Sequence, residues 1–155
     1  MVVMRMINLL RNVILVVLMV GGVSVANAKG PWLTDIEAGV KQAKTEGKLV
    51  MVEFTGSDWC PPCMKMDKEV FSKKEFLAEA QKNYVLVKLD APKSDPELEK
   101  LTKEQMMKYK VNAFPFILLL DSEGKEFKRF PATENLTVES FIKRLVKEKR
   151  RKDMI

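Results

Sequence analysis

Histidine is missing from all 155 residues. That absence removes imidazole acid–base catalysis, Cys–His nucleophile pairs and histidine metal sites together. Cysteine is nearly missing too, with only Cys60 and Cys63 present. Two thiols without histidine fall short of the ligand sets of structural zinc and of iron–sulfur clusters, so no metal and no cofactor is expected. Charge of one sign is also scarce. The net charge is +6, and Arg5 and Arg11 supply two of those charges from an N-terminal segment without acids. So small an excess gives no footprint for nucleic acid, and none is expected as a partner. There is no internal repeat and no low-complexity linker, and the length suits one domain. The contents of 46% hydrophobic and 31% charged residues are those of a globular chain.

An apolar run long enough to span a bilayer is lacking as well. Val13 to Ala26 is broken by Gly21, Gly22 and Ser24, and it falls short of the ~20 apolar residues a spanning helix needs. What it resembles is an export signal. Two arginines precede it, and Ala26-Asn27-Ala28 follows, with small residues at the −3 and −1 positions of a cleavage site. The expected division is a secretory signal over 1–28, cleaved after Ala28, and a domain over 29–155. The expected location is periplasmic or secreted, where disulfides persist. An uncleaved membrane anchor is the alternative.

The domain is organised around Trp59-Cys60-Pro61-Pro62-Cys63. This stretch follows the apolar run Leu49-Val50-Met51-Val52-Glu53-Phe54 and precedes an amphipathic segment from Met64. The pattern predicts a strand, a loop over Thr55–Asp58 and a helix opening at Cys60. A helix N-terminus offers unpaired N–H groups and partial positive charge, which favour thiolate over thiol. An exposed Cys60 would attack a disulfide, and Cys63, one turn later, would resolve the mixed disulfide. An inert bridge is the plainer reading, but so small a loop restricts the unfolded chain little. Pro61 and Pro62 carry no N–H, which predicts a moderately stabilised thiolate and a reducing couple.

Glu53 is an acid in a strand of buried type, where desolvation raises a carboxyl pKa; escape to solvent at the strand end is the alternative. Met64 and Met66 admit a soft Cu(I) site with the thiols, or plain core filling. Trp59 suggests an apolar landing surface or simple packing, and Asp58 an exposed group that tunes the site. The basic run Lys147–Lys152 suits a helix C-terminus and solvation, with membrane-surface contact as the alternative.

Periodicity and caps place a helix from Asp35 to Gly47, with Pro31-Trp32-Leu33 leading into it. Strands follow at 49–54, 84–90, 116–120 and 126–130. Helices run from Cys60 to about Lys68, from a capping box at Ser72–Glu75 to about Lys82, and from beyond Pro96 to about Tyr109. A second capping-box pattern at Thr102–Gln105 predicts a break in the last of these. Asp121-Ser122-Glu123-Gly124 is a hairpin turn. Thr137 caps a final helix with Val138, Phe141, Ile142 and Leu145 inward. Strands 49–54 and 84–90, joined through helices, should be parallel.

This order around a C-x-x-C site resembles the thioredoxin fold, and in particular secreted bacterial thioredoxin-like proteins. The resemblance rests on Phe54 to Cys63, on Val111-Asn112-Ala113-Phe114-Pro115-Phe116 and on the turn at 121–124, and covers about residues 31 to 150. It implies an α/β fold whose central mixed sheet has the order 84–90, 49–54, 116–120, 126–130, with an extra N-terminal helix. It also implies a cis peptide before Pro115. Backbone there would pair with an extended client, so that Trp59, Phe114 and Pro115 bind substrate. Glu53 would match the family's proton-moving acid if the 55–58 loop carries one extra residue. Pro-Pro replaces the Gly-Pro of thioredoxins proper, and Phe116 stands where they have threonine. The implied activity is thiol:disulfide oxidoreduction of client proteins by a monomer, chiefly as a reductant, through Cys60, Cys63 and Glu53. A membrane electron donor of the DsbD type is implied as partner. A disulfide oxidase or isomerase, and a non-catalytic peptide- or Cu(I)-binding module, are the alternatives.

Overall fold

The computed structural model describes residues 31–155. The expected signal and its cleavage site lie outside the described residues. A short strand β1 (Trp32–Leu33) leads to helix α1 (Ile36–Glu46), strand β2 (Leu49–Thr55) and helix α2 (Pro61–Met66). A π-helical segment, Asp67–Phe71, continues α2 and is followed by α3 (Lys74–Ala80), β3 (Tyr84–Asp90) and α4 (Pro96–Lys108). The hairpin β4 (Phe116–Leu120) and β5 (Glu126–Pro131), a 3-10 turn and α5 (Val138–Asp153) complete the chain.

The strands form one sheet in the order β1-β3-β2-β4-β5. β2 and β3 are parallel, with Glu53 beside Lys88, and β2 and β4 are antiparallel, with Glu53 beside Ile117. The four expected strands take their expected order. The fifth, β1, is a stretch whose sequence suggests only a lead into a helix. It pairs with Leu86 and Val87 of β3, and at two residues it is too short to show a period.

Alternation on the central strands sends side chains into two cores. Val50, Val52 and Phe54 join Ile36, Val87 and Leu118 on one face. Met51 joins Met66, Phe71, Phe76 and Phe141 on the other. Glu53, two residues from Met51, therefore points to the layer that carries α2 and the π segment. Both cores close within residues 31–155, a compact unit, so this stretch holds what an independently folding domain needs.

The caps of α1 and α5 are as expected. Asp35 accepts a hydrogen bond from Ala38 N–H at 2.6 Å, and Gly47 ends α1 at φ 64°, the left-handed region that suits glycine. Thr137 and Ser140 cap α5 reciprocally, and Phe141 and Leu145 are buried. Three boundaries differ. The helix from Cys60 does not fade near Lys68 but widens into the π segment. Ser72 is no cap, because its hydroxyl donates instead to Asp67 Oδ2 at 2.6 Å; α3 starts after an uncapped Lys73 and ends at Ala80. Thr102 does not break α4, because it is buried and its hydroxyl donates to the Asp90 carbonyl.

Candidate active site

The loop after β2 is held by a run of hydrogen bonds. Ser57 N–H donates to Asp90 Oδ1 at 2.9 Å, and the Ser57 hydroxyl donates to the other oxygen of the same carboxylate. Asp58 accepts the N–H groups of Lys93 and Ser94, each at 2.9 Å. These bonds hold its carboxyl below the ordinary range. Asp58 is thus a clamp on the 91–95 loop. Trp59 Nε1 donates to the Ala91 carbonyl at 2.7 Å. Its indole lies across Gly56, where a Cβ would come within 2.6 Å of the ring; only glycine admits that stacking. Trp59 meets Phe114 edge-to-face at 5.5 Å, and the Phe114–Pro115 peptide is cis. Three loops, 56–60, 91–94 and 112–115, are thereby joined through one tryptophan.

Cys60 is the N-cap of α2 and Cys63 its third residue, and the two are joined in a disulfide. The expectation that Cys60 is exposed is not met, since only 4% of it is accessible. Its N–H bonds back to the Gly56 carbonyl at 3.1 Å and its sulfur is tied to Cys63, so the residue is folded under the loop. Met66 fills the core while Met64 lies exposed. The two methionines thus face different ways, and only Met64 shares a cavity lining with Cys63.

Beneath α2 lies a charged cluster. Glu53 is fully buried and neither carboxylate oxygen has a hydrogen-bond partner, which overturns the alternative that it escapes to solvent. Lys88 Nζ is 3.6 Å from Glu53 Oε2 but 2.6 Å from Asp67 Oδ1. The ammonium also lies 5.0 Å over the Trp32 ring. Burial pushes Glu53 up to about 7; the Lys88 charge opposes this, and Asp67 and Asp90 reinforce it. For Lys88, burial favours the neutral amine, but the charges of Glu53 and Asp67 outweigh it and raise the pKa. Asp67 is likewise pushed up by burial, but hydrogen bonds from Lys88 and Ser72 win and hold it low. A cavity of about 150 Å³ lined by Thr55, Ser57, Cys63, Met64, Asp67 and Lys88 connects the second cysteine to this cluster.

Of the site residues expected from sequence, the structure brings Trp59 and Phe114 into contact and links Cys60 to Cys63. Sequence reasoning misses Lys88 and Asp67. Lys88 has a signal, as the one charge among Tyr84–Leu89 and, in a parallel pairing of the two strands, the neighbour of Glu53. Asp67 has none, because its placement depends on the π segment.

Comparison with known proteins agrees with this geometry. The family model described as "Thioredoxin-like" matches residues 31–122. The disulfide bond reductase DsbH of Chlamydia pneumoniae is 36% identical over 109 residues, covering 68% of this chain and 64% of that protein. The thioredoxin-related protein DsbJ of the same organism is 32% identical over 109 residues, again covering 68% of this chain but 31% of that protein. The chain therefore matches under two thirds of the length of either relative. A solved DsbH oxidoreductase superposes with a TM-score of 0.57 at 27% identity, covering 72% of this chain and 81% of the other. The molecule is a thioredoxin fold carrying a C-x-x-C disulfide. The chain belongs to the thioredoxin-like family.

Proposed function

We propose that this protein is a thiol:disulfide oxidoreductase that reduces disulfides of client proteins outside the cytoplasm. The observation that carries the reading is the Cys60–Cys63 pair set at the head of α2, directly above the buried Glu53–Lys88–Asp67 cluster.

In the reduced protein the Cys60 thiolate attacks one sulfur of a client disulfide. A Cys60–client disulfide forms, and the first client sulfur leaves as thiolate and takes a proton from water. Glu53, a carboxylate on a fraction of molecules near neutral pH, accepts the Cys63 proton by way of the cluster whose Lys88 and Asp67 line the cavity with Cys63. The Cys63 thiolate attacks Cys60 Sγ, the Cys60–Cys63 disulfide forms, and the second client sulfur leaves and is protonated. Two electrons have passed from the dithiol to the client. Trp59 and Phe114 form the client-facing surface beside Cys60, backed by the buried Pro115.

The reducing direction rests on the chemistry of Pro61 and Pro62. With no N–H on either, Cys63 supplies the first backbone donor of α2, and the thiolate gains less than at sites with a full set. The name disulfide bond reductase carried by the DsbH relative agrees. Such a protein needs a source of electrons in an oxidising compartment, and a membrane donor of the DsbD type fits that need. The active form is the domain 29–155, a monomer, after removal of a signal over 1–28. Among the described residues no helix is long and apolar enough to cross a membrane.

The test is the reduction potential of Cys60/Cys63, measured in glutathione and dithiothreitol buffers alongside insulin-disulfide reduction. A value near about −270 mV with insulin turnover supports the reading. A value near about −120 mV assigns an oxidase, and no turnover assigns a binding module.

A further inference from the structure

The exchange chemistry leaves the outer face of α5 unused. A groove of about 530 Å³ runs along it, lined by the cations Lys143, Lys147, Arg150 and Arg151 and by Ile142, Val146 and Met154. No acid lines it. Two of the four cations have partners on α5, since Glu139 pairs with Lys143 and Glu148, buried under Arg144, is reached by Arg151 at 3.6 Å, while Asp153 pairs with Lys149 outside the groove. Among the described residues no carboxylate pairs with Lys147 or Arg150. Positions 143, 147, 150, 151 and 154 fall on one stripe by helical spacing. The opposite side of the helix is anchored by Phe141 and Leu145 in the core. Val146 and Met154 stand out of the stripe at 39% and 77% exposure, and Ile155 extends the apolar end.

We propose that this face of α5 docks the domain on an anionic phospholipid surface. Lys143, Lys147, Arg150 and Arg151 meet headgroup phosphates, and Val146 and Met154 rest at the acyl boundary. Cations interleaved with hydrocarbon on one open helix face are the chemistry of an interfacial helix. An acidic polypeptide is the other anionic occupant. The groove has no acceptor side chain to read peptide N–H groups, so it is built for charge and hydrocarbon alone. The function of the docking rests on the proposed exchange with a membrane donor: it would keep the domain at the membrane surface and raise its effective concentration near that donor. The docking itself is tested without any thiol chemistry.

Residues 29–155 are sedimented at low salt with phosphatidylcholine vesicles, with and without phosphatidylglycerol. Binding is expected only with the anionic lipid, and is expected to fall as ionic strength rises. Each basic residue near an anionic surface contributes about 1 kcal/mol, so the double variant Lys147→Gln/Arg150→Gln should partition about 30-fold more weakly. Met154→Ser should weaken binding while leaving its salt dependence unchanged. Insulin reduction should be unaltered in both, and circular dichroism checks that the fold persists. Equal binding to neutral vesicles, no binding to anionic ones, or wild-type partition by the double variant would overturn the proposal.

Discussion

Lys88 and Glu53 are neighbours on parallel strands, and their charged ends are 3.6 Å apart without a hydrogen bond. The ammonium is instead drawn to Asp67 at 2.6 Å. The three groups hang from three different elements, β2, β3 and the π segment, so their spacing is set by how the sheet meets the helix layer. A buried carboxylate with a cation close by, but not in full contact, keeps a proton affinity near neutrality. That is the affinity a proton acceptor for a thiol requires.

Replacing Glu53 by Gln removes the proposed proton acceptor and keeps the shape. Release of client from the Cys60 mixed disulfide should slow about 100-fold, the lower range for loss of a general base. It should also lose its pH dependence around neutrality. Rapid-mixing measurements of the release step between pH 5 and 9 check this, and an unchanged rate profile would remove Glu53 from the mechanism.

The same residue makes stability depend on pH. Its folded pKa is near 7 against an ordinary 4.5, so between those values the folded state holds more protons than the unfolded state. Stability of the oxidised protein should therefore fall as pH rises from about 4.5 to about 7, and level off above. A tenfold difference in proton affinity between the two states is worth about 1.4 kcal/mol. Denaturant unfolding at pH 5 and pH 8 should show the fall in wild type and not in Glu53→Gln, which should be the more stable of the two at pH 8.

Asp67 and Lys88 should move the Glu53 titration in opposite directions. Asp67→Asn deletes a negative charge and frees Lys88 to approach Glu53, so the midpoint of the release profile should shift to lower pH. Lys88→Met deletes the opposing cation, so the midpoint should rise. Shifts of the same sign in both variants would mean that Asp67 does not restrain Lys88.

In the proposed exchange Cys60, at the head of α2, attacks first and Cys63 resolves. Cys63→Ser should leave a stable Cys60–client adduct, visible on non-reducing gels, whereas Cys60→Ser should form none. Adducts through Cys63 alone would reverse the assigned roles.

Tyr84 offers a control distant from the chemistry. Its hydroxyl donates to the Leu145 carbonyl at 2.9 Å in a buried position and ties β3 to α5. Tyr84→Phe should cost about 1 kcal/mol, the net worth of one hydrogen bond, because the Leu145 carbonyl keeps its partner within α5, and should leave exchange rates unchanged. Denaturation and insulin assays together check both halves.

The legible part of this structure is the part written in local chemistry. Leu49–Phe54 announces a strand covered on both faces, Gly47 a helix end, and Trp59 to Cys63 the site. What stays hidden depends on pairing across distance. Ser72 looks like a cap because its spacing to Glu75 is right, yet the nearer Asp67 carboxylate captures its hydroxyl. Thr102 looks like a helix start, yet the Asp90 carbonyl takes its hydroxyl into the core. Cys60 reads as exposed because helix caps usually are, but it is folded beneath its own loop. Lys88 is readable in principle, by aligning two parallel strands. Asp67 is not, since no local pattern in Asp67–Phe71 signals a widened turn.

That widened turn works as a register shift within a single rod. The Ser72 N–H reaches the Asp67 carbonyl five residues back, at 2.9 Å, so this coil holds one residue more than an α-helical turn would. The turn that leads into it sets Cys63 and Asp67 on the cavity, while Met66 faces the core. Its far end is phased to the core, with Val70 and Phe71 buried. Removing one residue between 67 and 71 would leave a regular helix that can satisfy only one of the two phases. Either Asp67 would turn away from Lys88, or Phe71 would leave the aromatic cluster. The extra residue lets one continuous helix satisfy both.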